Sequence, residues 1–508
     1  MKQRNKIFVF LAASIVIAVL VTIPLAFLSD GTMRGARKSC DTITINATYD
    51  AAAKRLACEQ SITYRNRTDT ALDVVKFHIY ANAYKDGAQN PPVEGEKDIL
   101  TAYPNGKSFG GITIGALNVN GVRATPIIDG DDETILVVPL ATALARGRSV
   151  TINMDYVVSL ANIKHRLGWT ADAVNLANFY PVPVIYENGA WQTYPYSASG
   201  DPFYNALHNF RVTLSCAQNF TAASSGTLIK ETKHDGLRAY TLHADAIRDF
   251  AAVLSTKFKT KSKTIGKIAV NYYYLVDDDP AQSLELAVKT LETFSEIYSR
   301  YPYKQLSVVQ TDFLHGGMEY GKLVYISAAF MQAATPDREQ HNYVIVHEIA
   351  HQWWYGLVGN NQSHTAWIDE GLAEYSTVVF FGKHPEYKLD KATMVQNARA
   401  NYSAYIRLIR AIPNAALDTS MERDLNAFNS SYEYVYMTYT RGLLLFCDIE
   451  NLISEETLLA ALSDFSHSVR FNIANRDKLA ESLERVTGSS FKVFFETYLM
   501  GMTGLFGR

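Results

Sequence analysis

His347-Glu348-Ile349-Ala350-His351, followed after eighteen intervening residues by Glu370 in Trp367-Ile368-Asp369-Glu370-Gly371, is the stretch on which the reading of this 508-residue chain turns. Residues four apart share a helical face, so both imidazoles can reach one ion while Glu348 points toward the same place. Neutral imidazole nitrogens suit Zn²⁺, which in catalytic sites takes three protein ligands and leaves one position open. Five residues with three fixed positions arise by chance, and two histidines on a helix can be ordinary surface polar groups. Glu370 alters that balance: the gap lets one helix end, the chain reverse and a second helix present the third ligand. One Zn²⁺ per chain is expected, held by His347, His351 and Glu370. Glu348, beside the metal without being needed as a ligand, is then the natural general base.

Working outward, Thr335-Pro336 supplies a cap and first-turn proline for the helix that carries the histidines. Helical spacing recurs over 281–300, 366–380, 390–410, 438–452, 454–466 and 475–500, with β-rich pieces at 268–274 and 306–310. The chain before residue 257 reads differently. Short runs rich in β-branched and aromatic residues, at 42–45, 74–80, 134–138, 150–157 and 210–214, alternate with turn clusters such as Asp129-Gly130-Asp131-Asp132 and Ser199-Gly200-Asp201-Pro202. The expected architecture is multidomain: an N-terminal all-β, sandwich-like domain over 41–257, then an α+β, mostly helical catalytic domain over 258–508.

At the N-terminus, residues 7–28 carry no charge and follow Lys2, Arg4 and Lys6. As a helix the run extends about 33 Å, enough for a bilayer core of about 30 Å, and it is longer than the apolar run of a secretory signal. The expectation is an uncleaved, single-pass signal anchor, with residues 1–6 cytoplasmic, 29–40 a linker, and the remainder outside the cytoplasm at the cell membrane. Arg34, Arg37 and Lys38 behind the span weaken the charge asymmetry that sets orientation. The net charge of −3 provides no bulk attraction for nucleic acid, so no nucleic-acid partner is expected. Cys40, Cys58, Cys216 and Cys447 lack metal-binding or dense disulfide spacing; a Cys40–Cys58 bridge competes with four isolated thiols.

Two further strings complete the pattern. Gly316-Gly317-Met318-Glu319-Tyr320 lies before the His-containing helix, and Tyr439-Thr440-Arg441-Gly442 lies after Glu370. With His351-Gln352-Trp353-Trp354 and Trp367-Ile368-Asp369-Glu370-Gly371, the chain resembles the aminopeptidase N type of gluzincin zinc metallopeptidase. The strings match that family's HQW and WxNEG, its GxMEN exopeptidase motif with Tyr320 in place of Asn, and its YxKG motif with Arg441 in place of Lys. The resemblance implies a thermolysin-like catalytic domain and hydrolysis of the N-terminal peptide bond of peptides through a zinc-activated water. It implies that Tyr439 stabilises the oxyanion, that Glu319 with Glu370 binds the substrate's free α-ammonium, and that Gly316, Gly317 and Met318 line the substrate. An acid seven residues after the third ligand often orients a zinc histidine in the family. Here that position is Thr377, so Glu374, one turn after Glu370, is the candidate for the task. The N-terminal domain of the family contributes a further acid to the amine site, for which Glu187 is the candidate. The resemblance also implies a short form without the C-terminal helical superhelix, and hence a more open cleft.

Two other readings remain beside the aminopeptidase. A zinc endopeptidase needs the HExxH and Glu370 without Glu319, and a catalytically idle surface-binding ectodomain could keep the fold alone.

Overall fold

The structure, a computed structural model, describes residues 32–415 and 417–501. It divides into two units, residues 1–40, of which a helix over 32–39 is described, and one compact unit from Asp41 onward. The apolar run 7–28 lies outside the described residues. Among those described, no helix is long and apolar enough to cross a membrane.

The first half of the compact unit is β-rich. Its largest sheet has eight strands in the order Thr227–His234, Leu237–Ile247, His208–Ala217, Asp41–Asp50, Arg55–Arg65, Ser149–Ser159, Gly111–Val119 and Val122–Arg123. Asp41–Asp50 alternates buried and exposed along its length, the period-two pattern of a strand with one face on the core. It pairs antiparallel with Arg55–Arg65 but parallel with His208–Ala217, so this sheet closes on a strand some 160 residues away in sequence. Two four-stranded sheets and a two-stranded hairpin, Tyr186–Glu187 with Ala190–Trp191, complete the described part of this half. Cys58, Cys216 and Cys447 are buried free thiols.

Sheet membership changes between Ala251–Ser255 and Lys259–Ile265. The second half is built on a five-stranded sheet ordered Lys259–Ile265, Ile268–Tyr274, Gln305–Thr311, Leu323–Ser327 and Gly317–Met318. Gln305–Thr311 and Leu323–Ser327 are buried at every position, as expected of central strands covered on both faces. Helix α1 (Pro280–Ile297) makes the crossover between the parallel strands Ile268–Tyr274 and Gln305–Thr311. The last strand, Gly317–Met318, lies at the edge of the sheet and runs antiparallel to Leu323–Ser327.

Among the described residues seven longer helices follow: α2 (Arg338–Ala350), α3 (Trp367–Lys383), α4 (Lys391–Ala411), α5 (Arg441–Ile453), α6 (Glu455–Ser468), α7 (Arg476–Thr487) and α8 (Lys492–Leu499). The start of α2 differs from expectation. Thr335-Pro336 precedes the helix, and the cap is Asp337, whose side chain accepts a hydrogen bond from the Gln340 amide at 2.9 Å. The single helix expected over 475–500 is two helices, because Gly488 adopts φ +72° and ends α7 in a left-handed cap. From Val344 through Ala350 every residue of α2 is buried, so this helix is central rather than amphipathic.

The β-rich half also holds the turn after α2. Buried Arg248 donates to the backbone oxygens of Tyr355 (2.7 Å), Asn205 (3.0 Å) and Asn472 (2.9 Å). Tyr355 sits at φ +100°, a conformation that costs energy for a residue with a side chain, and its hydroxyl donates to Asp249.

Candidate active site

The donor atoms of His347, His351 and Glu370 converge from α2, its C-terminal cap and the first turn of α3. His351 Nε2 lies 3.1 Å from His347 Nε2, and Glu370 Oε2 lies 3.2 Å and 3.3 Å from the two imidazoles. Three donors at tetrahedral corners about 2.0–2.1 Å from one ion stand roughly 3.3–3.4 Å apart, so these separations fit zinc. All three side chains are buried. Without a cation, Glu370 and its neighbours hold the His351 imidazolium up to about 10 against the opposing effect of burial, and raise His347 as well. Burial would raise Glu370, but the two imidazoles outweigh it and hold the carboxyl at about 2. A divalent ion takes the place of those protons. The residues present therefore make a zinc site. Glu319, His351 and Asp369 form a second buried group of donors, but it shares His351 with the first and does not make an independent site.

The supporting atoms orient both rings. His351 Nδ1 faces the Trp354 carbonyl at 3.0 Å, which assigns its proton there and leaves Nε2 for the metal. Glu374 Oε1 lies 3.1 Å from His347 Nδ1, within ion-pair reach though off the line of a straight hydrogen bond, while its other oxygen accepts from the Tyr343 hydroxyl. Thr377 spends its hydroxyl on the Ala373 carbonyl at 2.8 Å.

Glu348 is buried, and one of its carboxylate oxygens has no hydrogen-bond partner in the protein. Burial lifts its carboxyl to about 7 against the pull of His347 and His351. It is packed against the edge strand so closely that a Cβ on Gly317 would stand 2.3 Å from Oε1 and 2.5 Å from Cδ and Cγ. Gly317 has room for no side chain because Glu348 lies on its backbone. Gly316 is less constrained, with Val344 Cγ2 at 3.2 Å.

Tyr439 reaches the metal donors from the other side, its hydroxyl donating to Glu370 Oε1 at 2.6 Å and its ring stacked on His347 at 5.9 Å. It belongs to a π-helical turn, Tyr436–Thr440, at the head of α5. Such one-turn widenings re-aim side chains and recur at functional sites. The close crossing of α3 and α5 makes the approach feasible: a Cβ on Gly442 would lie 2.8 Å from Gly371 Cα, and one on Gly371 would lie 2.9 Å from Gly442 Cα. Arg441 is buried and donates to the carbonyls of Thr419 and Tyr498, a structural clamp rather than part of the reaction centre.

Glu319 is buried in the wall of the same 460 Å³ cleft. Among the described residues its side chain accepts one hydrogen bond, from Gln362 Nε2 at 2.7 Å. Burial and the nearby Asp201 push its carboxyl well above the ordinary range, with His351 opposing. Met318 contributes its backbone to the edge strand, whereas its side chain turns inward and receives the Arg166 Nε–H at 3.4 Å. Tyr320 packs edge-on against Tyr325, and its carbonyl accepts from Gln352.

The β-rich half supplies two cleft residues that the sequence does not reveal. Asp201, legible only as part of a turn, and Arg166 both line the cleft, and Arg166 Nη2 donates to Asp201 at 2.5 Å and to the Gly200 carbonyl at 2.9 Å. Glu187 does not line the cleft; its carboxylate accepts from the Tyr204 hydroxyl at 3.0 Å.

Residues 282–498 match the pattern described as the peptidase family M1 domain. Among curated relatives, the chain is 24% identical over 316 residues to aminopeptidase M1-B of Oryza sativa subsp. japonica, covering 59% of this chain and 34% of that protein. It is 25% identical over 217 residues to aminopeptidase N of Lactobacillus helveticus, covering 40% and 24%. It thus spans about a third or less of the length of these relatives. The crystal structure of the M1 zinc metallopeptidase from Deinococcus radiodurans superposes with a TM-score of 0.63 at 14% identity, covering 91% of this chain and 94% of that one. A mutant form of that protein bound to a Tyr-Ser-Ala substrate superposes at 0.62, also at 14% identity and the same coverage. At this identity the superposition establishes the shared fold.

Proposed function

We propose, from the match of residues 282–498 to the peptidase family M1 domain, that the chain is a zinc-dependent aminopeptidase that hydrolyses the N-terminal peptide bond of peptides. The observation that carries this reading is how the two acids of the cleft wall, Asp201 and Glu319, are partnered. Among the described residues Asp201 has Arg166 as its ion-pair partner, while the Glu319 side chain accepts only from a neutral amide, which leaves it open to pair with a cation. A substrate's α-ammonium satisfies it, and the cost of burying either charge alone makes that pairing selective for a free N-terminus.

The peptide backbone adds to the open edge of Gly317–Met318 as a further strand, which sets the scissile carbonyl between Glu348 and Tyr439. Bound zinc supplies Lewis-acid polarisation of the carbonyl and lowers the pKa of the attacking water. Glu348 takes the water proton and passes it to the leaving nitrogen. Tyr439 turns its hydroxyl from Glu370 to the developing oxyanion. Glu374, through His347, keeps that ring in ligating orientation.

Comparison of free and N-acetylated forms of one peptide tests the reading. The free form should be cleaved from its N-terminus by protein carrying one zinc per chain, and Glu348→Gln should abolish turnover while retaining the metal. Equal cleavage of both forms would replace the aminopeptidase by the endopeptidase, and zinc-loaded protein inert toward all peptides would leave the binding ectodomain. We also propose that residues 7–28 anchor the chain with its catalytic region outside the cytoplasm. Release of the full chain from membranes by alkaline carbonate would refute the anchor.

A further inference from the structure

We infer that Gln362 is a positioning residue for amine recognition, holding Glu319 through one N–H and tying it through the other to the helix that carries the third zinc ligand. This rests on the amine-site reading of Glu319 and goes beyond it. Gln362 Nε2 lies 2.7 Å from Glu319 Oε1 and 2.8 Å from Asp369 Oδ2. Asp369 is held in turn by Asn360 Nδ2 at 2.7 Å on its other oxygen. All four side chains are buried: Gln362, Asp369 and Asn360 are each 1% exposed and Glu319 is 3% exposed.

The arrangement has a particular logic in this chain. The strings GxMEN and WxNEG each place an asparagine beside their glutamate, whereas this chain has Tyr320 and Asp369 at those positions. Neither residue can donate an amide N–H from its side chain, and the Tyr320 hydroxyl has no partner. Gln362, seven residues before Asp369, supplies the missing amide from a short helix, Gln362–Thr365, that immediately precedes α3. Because one nitrogen serves both carboxylates, the edge strand bearing Glu319 and the helix bearing Glu370 share a fixed reference. The distance from the ammonium site to the metal is set by that reference. This distance selects the first peptide bond rather than the second.

A double-mutant cycle on the full chain tests the role, with aminoacyl amide reporters as substrate, zinc content per chain and thermal melting as controls. Gln362→Met removes both donors at similar volume. It should raise KM for free-amine reporters about 10-fold or more, the loss of a hydrogen bond to a charged group, with kcat within about 3-fold and zinc retained. In a Glu319→Gln background the same substitution should add less than about 2-fold, because the group it positions has been altered. Should Gln362→Met not fold, Gln362→Asn, which keeps the amide but withdraws it, should show the same split at smaller size. Full additivity, or an unchanged KM in a folded and zinc-loaded variant, overturns the positioning role. A normal preference for free amines in Glu319→Gln overturns the amine-site reading beneath it.

Discussion

Gly317→Ala separates folding from catalysis in this site. The new Cβ would lie 2.3–2.5 Å from three atoms of the Glu348 side chain, where ordinary contact needs about 3.5–4.0 Å, so the carboxylate must retreat by more than about 1 Å. What blocks the methyl is the end of a side chain rather than backbone. An off-rotamer glutamate costs about 0.5–1.5 kcal/mol, and Tm should fall by only a few degrees. The same retreat removes the base from reach of the attacking water. A misplacement of about 1 Å costs roughly 100-fold, and complete loss of general-base assistance about 10²–10⁴-fold. The expected variant is therefore folded, carries one zinc per chain and has kcat reduced at least about 100-fold. Gly316→Ala, facing Val344 Cγ2 at 3.2 Å and otherwise nothing nearer than 3.7 Å, should lose much less than Gly317→Ala. The assay pairs kcat on an aminoacyl amide reporter with metal analysis and a melting curve on each protein. Near-normal kcat in Gly317→Ala would mean that Glu348 is not the base, and equal losses from both glycines would mean that the effect comes from disturbing the strand as a whole.

Gly442→Ala has the opposite profile, since its Cβ meets the backbone of Gly371 at 2.8 Å: Tm should fall, by the equivalent of about 1–3 kcal/mol, together with kcat, whereas Tyr439→Phe should lower kcat about 100-fold or more at unchanged Tm. On the acid side, kcat/KM should fall as Glu348 takes up a proton, at a pH below the value of about 7 that burial sets, because bound zinc favours the carboxylate; a limb above pH 7 would contradict this. On the alkaline side, burial and Glu370 hold the Tyr439 phenol well above 10, so the limb should follow the substrate amine, about 8 for an α-amino group, and should move when a reporter of different amine pKa is used. Glu374→Gln should weaken zinc binding about 10-fold or more, read by competition with a chelator, and unchanged affinity would remove Glu374 from the metal's support.

The elements legible in the sequence are those whose pattern is local. Alternation marks Asp41–Asp50 and helical spacing marks α1, because in each case one face is buried by neighbours at regular intervals; α3 is buried on nearly every side, and its apolar content marks it instead. The cap of α2 stands two residues beyond its expected place because Thr335 and Asp337 both carry capping side chains, and only the backbone decides between them. The break at Gly488 is hidden in the sequence since leucine, valine and phenylalanine continue at helical spacing on both sides of it; a single glycine in such a run is a weak signal until its left-handed φ is seen. The π turn at Tyr436–Thr440 has no sequence signature at all, although it aims the phenol.

The site divides along the same line. His347, Glu348, His351, Glu370 and Glu374 are legible because helical periodicity and one gap length bring them together, each within two helices joined by a short reversal. Asp201 and Arg166 are not, since their place beside Glu319 depends on how the β-rich half packs against the zinc helix, more than a hundred residues away in sequence. Glu187, in a hairpin turn with Gly189, is the acid the sequence offers, yet the acid that the β-rich half brings to the cleft is Asp201. Gly200, at φ +69°, leaves no room for a Cβ, which would stand 2.5 Å from the Tyr434 hydroxyl. The turn lies against the wall of the cleft, and its carboxylate is delivered there by the tightness of that contact. Gly317 against Glu348 and Gly371 against Gly442 work in the same way. In each of the three cases a glycine marks where backbone at or beside the cleft must approach a neighbour within a distance that a methyl group would forbid. The motif strings preserve such glycines without stating what they touch. An acid beside a glycine in a turn is therefore not enough: a Cβ on Gly189, beside Glu187, would meet nothing within 4 Å, whereas one on Gly200, beside Asp201, would meet Tyr434 and Leu425 within 3 Å.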